Sequence, residues 1–283
     1  MEELRQKTRI RILHVTDVHS ALHNIVALKT RLETRGERID LILLSGDNAD
    51  MEIGARDLSR DAAKIARYEK DMELVIRELE SIHSLVVYVP GNHDPITTFD
   101  LNASPMTSTS MNLHRKCMRL AGNLCIIGFG GSIPAFKDSK LHWEGFPFET
   151  EEDLAKELDP LLQFKPLPSG SNRLDAIEEG DSVILMTHFG PSRTDTTIVY
   201  EDISQPILSG SETLRCHLEG DLLQKFAFLN IHGHSHDALG KVQLGNVTIS
   251  NPGPLREGNY GLYTICKGSK SWRLTSCTYE ILD

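Results

Sequence analysis

Five short polar blocks, each placed where a hydrophobic strand should end, constrain this chain more than any other feature. They are Asp17-Val18-His19, Gly46-Asp47-Asn48, Gly91-Asn92-His93-Asp94, Thr187-His188 and Gly233-His234-Ser235-His236. Ahead of each runs a strand-like stretch: Ile10 to Val15, Leu41 to Ser45, Leu85 to Val89, Val183 to Met186 and Phe228 to Ile231. In open α/β sheets, ligands sit in the crevice beyond the carboxyl ends of the strands. Five such ends bearing Asp, Asn or His predict one cleft lined by metal donors.

The segments between the blocks have helical spacing. Ala21 to Arg35 places Leu22, Ile25, Val26, Leu28 and Leu32 on one face and stops at Gly36. Asp57 to Ser81 reads as a long amphipathic helix, with Leu58, Ala62, Ile65, Met72, Val75, Ile76 and Leu79 on its apolar side. Strand, helix, strand, helix, strand is the pattern of parallel crossover units. A short helix is expected over Asn112 to Leu120, a strand over Leu124 to Phe129, and a helix from Ser211 to Lys225. Thr150 is placed to cap a further helix whose first turn carries Glu151, Glu152 and Asp153. After Gly240, four β-like runs separated by Gly245-Asn246 and Lys267-Gly268 predict antiparallel hairpins. The stretch 132–173, rich in Pro, Gly and aromatics, is expected to lie over the rim of the cleft. Because the blocks run from Asp17 to His236, any cut between them would split the site, so one domain over 1–283 is expected.

Net charge narrows the partners. Thirty Lys and Arg against forty Asp and Glu give a formal charge of −10, and no basic run appears, which makes a nucleic-acid groove an unfavoured reading. The five cysteines form no CxxC pair. No stretch has the length and apolarity of a membrane span, and the first nine residues are polar and charged. A soluble, reduced, cytoplasmic protein without a membrane partner is the expectation, and protein partners are unspecified.

The donor types point to a reaction. Hydrolysing a phosphoester needs a strong nucleophile and neutralisation of the transferring phosphoryl group. Two cations roughly 3.5–4 Å apart supply both, by lowering the pKa of a water held between them and clamping the phosphoryl oxygens. At least one carboxylate must then be shared, and the remaining donors must be hard or borderline. The blocks supply Asp17, His19, Asp47, Asn92, His188, His234 and His236.

Asp-x-His, Gly-Asp, Gly-Asn-His-Asp, a strand-terminal His and Gly-His-x-His, in that order, resemble the calcineurin-like metallophosphoesterase superfamily. Gly128-Phe129-Gly130-Gly131-Ser132, Thr187-His188-Phe189-Gly190-Pro191, Gly210-Ser211-Glu212-Thr213-Leu214-Arg215 and Asn251-Pro252-Gly253-Pro254 are similar to its small, single-domain, Icc-related phosphoesterase group. The resemblance implies a four-layer α/β/β/α sandwich with two central mixed sheets. It implies that Asp17, His19 and His236 hold one divalent metal, that Asn92, His188 and His234 hold another, and that Asp47 bridges. Manganese, iron or zinc suit these donors, with manganese the first choice. His93 would act on the transition state or the leaving oxygen, and Asp94 would hydrogen-bond its far nitrogen. The reaction implied is attack by a metal-held hydroxide on the phosphorus of a small-molecule phosphoester, a diester ahead of a monoester. A cyclic nucleotide is the next substrate class. The pattern departs from protein Ser/Thr phosphatases, since Asn48-Ala49-Asp50 replaces their Asp-Arg-Gly and Asp94 replaces their Glu. An inactive scaffold that binds protein partners is the alternative function.

Other polar residues have plainer readings. His14 fits a bonded core histidine. His23, His83, His114, His142 and His217 fit surface or helix positions, and His232 fits either the core or the surroundings of the site. Asp50 resembles a spare carboxylate near the bridging position, with a helix cap the safer reading. Arg193 and Arg256 are candidates to grip a phosphate, weighed against ordinary surface ion pairs.

Overall fold

The strand-like runs are strands, and two six-stranded mixed sheets gather them. The computed structural model describes residues 2–51, 61–102, 104–168, 176–200 and 206–282. The first sheet contains β1 (Arg9–Val15), β2 (Leu41–Leu44), β3 (Val86–Tyr88), β4 (Met111–Asn112), β15 (Asn259–Lys267) and β16 (Trp272–Ile281), in the order β16-β15-β1-β2-β3-β4. Strands β1 to β4 run parallel, while β15 and β16 form the late hairpin, antiparallel to each other, with β15 antiparallel to β1. The second sheet contains β5 (Lys116–Ala121), β6 (Leu124–Phe129), β9 (Ser182–Thr187), β12 (Ala227–Ile231), β13 (Gly240–Leu244) and β14 (Val247–Asn251), in the order β13-β14-β12-β9-β6-β5. Its middle four strands are parallel and its two edges antiparallel.

Side-chain alternation explains why the runs are apolar throughout. Successive residues of a strand face opposite sides of the sheet. In β1, Ile10 and Ile12 enter the core between the sheets, while Leu13 and Val15 face outward. In β2, Leu41 and Leu43 face inward, and Ile42 and Leu44 outward. The outer face of the first sheet is covered by α2 (Leu22–Thr34) and α3 (Ala62–Glu80). These bring Ile25 and Leu28, and Met72, Val75, Ile76 and Leu79, respectively. Asp61 caps α3 by accepting from the amides of Ala63 and Lys64 at 3.1 and 3.2 Å. Of the helix expected from Asp57, residues 57–60 lie outside the described residues.

The outer face of the second sheet, with Cys125, Ile127, Val183 and Leu185, packs on α4 (Glu151–Leu162), α5 (Glu212–Glu219) and α6 (Asp221–Phe226). Thr150 caps α4 through the Asp153 amide at 3.1 Å, and Leu154 and Leu158 enter the core. The four layers are thus helices, sheet, sheet, helices, as the resemblance implied. A short helix, α1 (Glu2–Arg5), precedes β1.

Several expectations are corrected. The helix expected over Asn112 to Leu120 is instead the end of β4 at Asn112, a turn, and the edge strand β5 from Lys116. Strand β5 pairs antiparallel with β6 and sends Met118 and Leu120 into the inter-sheet core. The helix expected from Ser211 to Lys225 breaks into α5 and α6 at Gly220, whose backbone is extended (φ −72°, ψ 148°). His114 is not a surface residue: it is buried, and its Nδ1 accepts from the Gly130 amide at 2.9 Å. His14 is buried between Ser45 Oγ (2.8 Å) and Tyr263 OH (3.3 Å), a bonded core residue.

A third, small sheet was not anticipated. β7 (Ala135–Lys137), β8 (Lys140–Trp143), β10 (Ile198–Val199) and β11 (Ile207–Leu208) join in the order β10-β11-β7-β8. Two of its strands come from the 132–173 stretch and two from the loops after β9.

Candidate metal centre

The carboxyl ends of β1, β2 and β3 carry Asp17, His19, Asp47 and Asn92; those of β9 and β12 carry His188, His234 and His236. The two sheets therefore contribute opposite walls of one site. Backbone hydrogen bonds lock these loops together. Asp17 N donates to Gly46 O (3.0 Å), His19 N to Asp47 O (2.9 Å) and Gly233 N to His188 O (2.9 Å).

Much of this backbone is left-handed. Asp17, His19, Ser20, Asp47 and His234 have φ between 46° and 66°, a conformation costing a non-glycine residue about 1–3 kcal/mol. Each tight turn aims its donor back across the strand ends. Glycines allow the closest approaches: a Cβ on Gly91 would collide with the Asp47 carboxylate and amide, and one on Gly46 with the His188 ring.

Among the described residues, the side chains converge in three overlapping groups, one of them His19, Asp50 and His93 at the more exposed side, and two that share Asp47. Potential ligand atoms of Asp17, His19, Asp47 and His236 lie within 4.8 Å of one another, as do those of Asp47, His188 and His234. Asp47 belongs to both. Its Oδ2 is 3.3 Å from His188 Nε2 and 3.7 Å from His19 Nε2, so one carboxylate oxygen faces both groups. Asn92 Oδ1 approaches His188 Nε2 at 2.9 Å. Asp17 receives the His234 amide at 3.0 Å and lies 3.2 Å from His236 Nε2.

Burial makes this charge arrangement expensive without counter-charges. Burial alone would push the Asp17 carboxyl up, yet the His236 imidazole beside it holds it below the usual carboxylate range. Asp47, which burial would likewise push up, is held well below that range by His188 and His93. Burial pulls His188 down, but Asp47 outweighs it and lifts the ring to about 9. His234 goes the other way, to about 3, through burial and the neighbouring His188.

The donor set fits divalent cations. His19 Nε2 and His234 Nε2 are both buried with no hydrogen-bond partner among the described residues. A buried polar atom is ordinarily paired, and these two nitrogens fit a cation as their partner. The opposite nitrogens of two ligand rings are already fixed. His188 Nδ1 donates to Ser45 O at 2.8 Å, and His19 Nδ1 lies 2.9 Å from Asp50 Oδ1. Such outer partners orient a metal-binding imidazole. Asp50, read from sequence as a spare carboxylate near the bridge or a helix cap, holds His19; the residues such a cap would serve, 52–60, lie outside the described residues.

A second reading from sequence is also corrected. Asp94 does not touch His93. Its carboxylate is buried and accepts from the amides of Asn48 (2.9 Å), Ala49 (2.8 Å) and Gly91 (2.7 Å) and from the Asn48 side chain (2.7 Å). It welds the second block to the third. Burial and Asp47 push its pKa up to about 7, against the pull of those amides. His93 Nδ1 donates instead to the Met51 carbonyl at 2.7 Å, and the His93 amide donates to Asp47 Oδ1 at 2.7 Å.

The donors open into a cavity of 240 Å³ lined by Asp47, Asn92, His93, His234 and His236, together with Trp143, Val199, Ile207 and Asp237. Neither Arg193 nor Arg256 is among the lining residues. Arg193 pairs with Glu212 at 2.7 Å on the surface, and the Arg256 guanidinium lies 3.7 Å from Glu257. His232 is buried, bonded to Thr196 Oγ1 at 3.0 Å. Trp143 carries no motif; the aromatic richness of its stretch was the one sequence signal available. A larger groove of 780 Å³ beside Met118 and Phe164 contains none of these donors.

The family model for calcineurin-like phosphoesterases matches residues 10–238. The chain belongs to that family. It is a metal-dependent phosphoester hydrolase with the mixed α/β architecture of its class. Solved structures agree on the fold. TT1561 of Thermus thermophilus is 18% identical, with 98% of this chain and 100% of that chain covered and a TM-score of 0.55. A dimetal phosphatase from Danio rerio is 12% identical, with 97% and 99% covered and a TM-score of 0.53. GAP50 of Plasmodium, described as the anchor in the inner membrane complex, is 13% identical, with 98% and 90% covered and a TM-score of 0.52. No curated protein matches the sequence significantly. Among the described residues, no helix is long and apolar enough to cross a membrane.

Proposed function

We propose that this protein is a dinuclear-metal phosphodiesterase acting on a small molecule. The observation that carries the reading is Asp47, whose one carboxylate is common to two donor groups. Asp17, His19, Asp47 and His236 would hold one cation, manganese being the first choice, and Asp47, Asn92, His188 and His234 the other. When bound, the ions would supply an activated water and charge neutralisation at phosphorus.

The chain's own groups have distinct tasks. With its Nδ1 proton committed to Met51 O, His93 offers Nε2 as the ring atom able to exchange a proton with a substrate in the cavity. The His93 amide on Asp47 Oδ1 ties that imidazole to the shared carboxylate. Asp94 positions both loops without reaching the cavity. Among the described residues, no Lys or Arg lines the cavity. That favours the single charge of a diester over the second charge of a monoester or the added phosphates of a polyphosphate.

The scaffold alternative is the weaker reading, because all seven donors and His93 are present. The test is turnover of bis(4-nitrophenyl) phosphate and 4-nitrophenyl phosphate by manganese-loaded protein. We expect the diester to be preferred and His93→Ala to slow it about 10²–10⁴-fold, the usual range for a lost general acid or base. No turnover of either compound would remove the enzyme reading. An unchanged rate in the variant would remove His93 from the reaction, and a monoester preference would remove the diester reading.

A further inference from the structure

The wall facing the metal donors belongs to the small third sheet, and its inner face is apolar. Ala135, Val199 and Ile207 are buried there with Ala238, two residues beyond His236, and Trp143 packs against them. Trp143 sits opposite Ala135 in the β7–β8 pair. Its indole stands edge-on to His234, with ring centroids 5.7 Å apart and planes at 87°. Trp143, Val199 and Ile207 all line the 240 Å³ cavity. The indole N–H is buried and has no hydrogen-bond partner among the described residues, an unusual state for a polar group within a fold.

We infer that Trp143, backed by Val199 and Ile207, is a specificity-determining platform for a flat aromatic ester group on the substrate phosphodiester. The inference rests on the phosphoesterase reading above and narrows its substrate class. Three features carry it. The wall of Ala135, Trp143, Val199 and Ile207 is apolar where a sugar or polyol would require several hydrogen-bonding groups. Among the described residues, no Lys or Arg lines the cavity to hold further phosphates. The volume lies below the roughly 300–1,000 Å³ of drug-sized sites, which suits one phosphoryl group and one ring. Aromatic faces pair readily with such a ring.

The experiment compares two non-hydrolysable monoanions of like size, methyl phenylphosphonate and methyl cyclohexylphosphonate, on manganese-loaded protein. Their inhibition constants are measured, and tryptophan emission is followed on titration. Trp272, the other tryptophan, is buried at 2% exposure, so a Trp143→Phe control assigns any quenching. The expected result is about tenfold tighter binding of the phenyl compound, in line with aromatic stacking on a base-sized ring. It should be accompanied by quenching that Trp143→Phe abolishes. Trp143→Phe should keep most of the preference, and Trp143→Ala and Trp143→Leu should lose it. With turnover intact, equal affinities in the parent protein, or a preference undiminished in Trp143→Ala, would overturn the platform alone. Absence of turnover on every phosphoester would overturn the reading beneath it and the platform with it.

Discussion

At the scale of single residues, the site shows how one atom's environment decides its role. Two aspartates three positions apart in sequence, Asp47 and Asp50, do different jobs. Asp47 is buried between imidazoles and faces two donor groups, whereas Asp50 has a side chain 64% exposed and meets the site at its edge, 2.9 Å from His19 Nδ1. Losing such an orienting carboxylate ordinarily weakens metal binding 10–100-fold. Asp50→Ala should therefore weaken one manganese site by about that factor in calorimetric titration. The metal-free melting temperature should stay unchanged, since the side chain is exposed. Equal affinities for parent and variant would show that His19 needs no such partner. That these Asp, Asn and His side chains would meet was legible in the sequence, because each sits at the end of a buried strand. Partners such as Met51 O for His93, or Asn48 and Ala49 for Asp94, were not legible. They depend on loop conformations that bring residues 42 and 46 positions apart within hydrogen-bonding distance.

At the scale of elements, turns matter more than strands. The loops after β2 and β3 meet where Gly91 passes the Asp47 carboxylate, and there is no room for a methyl group. Gly91→Ala should displace Asp47 and the His93 amide that binds it. The expected outcome is fewer than two manganese ions per chain by elemental analysis, with the far-ultraviolet circular dichroism of the parent preserved. A variant holding two ions would show that the loops yield. The strands β1, β2, β9 and β12 could be read directly, being apolar on both faces. The edge strand β5 could not, since a short apolar run has no period long enough to separate strand from helix. The small sheet was illegible for another reason. Its strands are two to four residues long, and its central pairing sets Leu208 against Phe136 from a distant part of the chain, so no local pattern announces it.

At the scale of the whole molecule, buried histidines couple stability to acidity. Burial drops His114 from its ordinary 6.5 to about 3, and His14 likewise to about 3. Both are thus neutral in the native state. The unfolded chain takes up their protons below about pH 6.5 while the native state resists until about pH 3. Their stabilisation is therefore complete above pH 6.5 and declines as the pH falls towards 3, by about 1.4 kcal/mol per unit for each fully buried ring. Urea midpoints measured at pH 6.5, 5.5 and 4.5 should fall in that order. His114→Asn, which keeps an acceptor for the Gly130 amide but cannot titrate, should fall less steeply; an identical slope would contradict the linkage.

Because the donor residues come in two sets, one from each sheet, bound cations would do more than chemistry. They would act as a rivet through two slabs otherwise joined by oily contact and a few hydrogen bonds such as that from His188 Nδ1 to Ser45 O. Chelation should then quicken amide exchange in β1 and β9 together, the strands on either side of the seam, while the outer helices keep their protection.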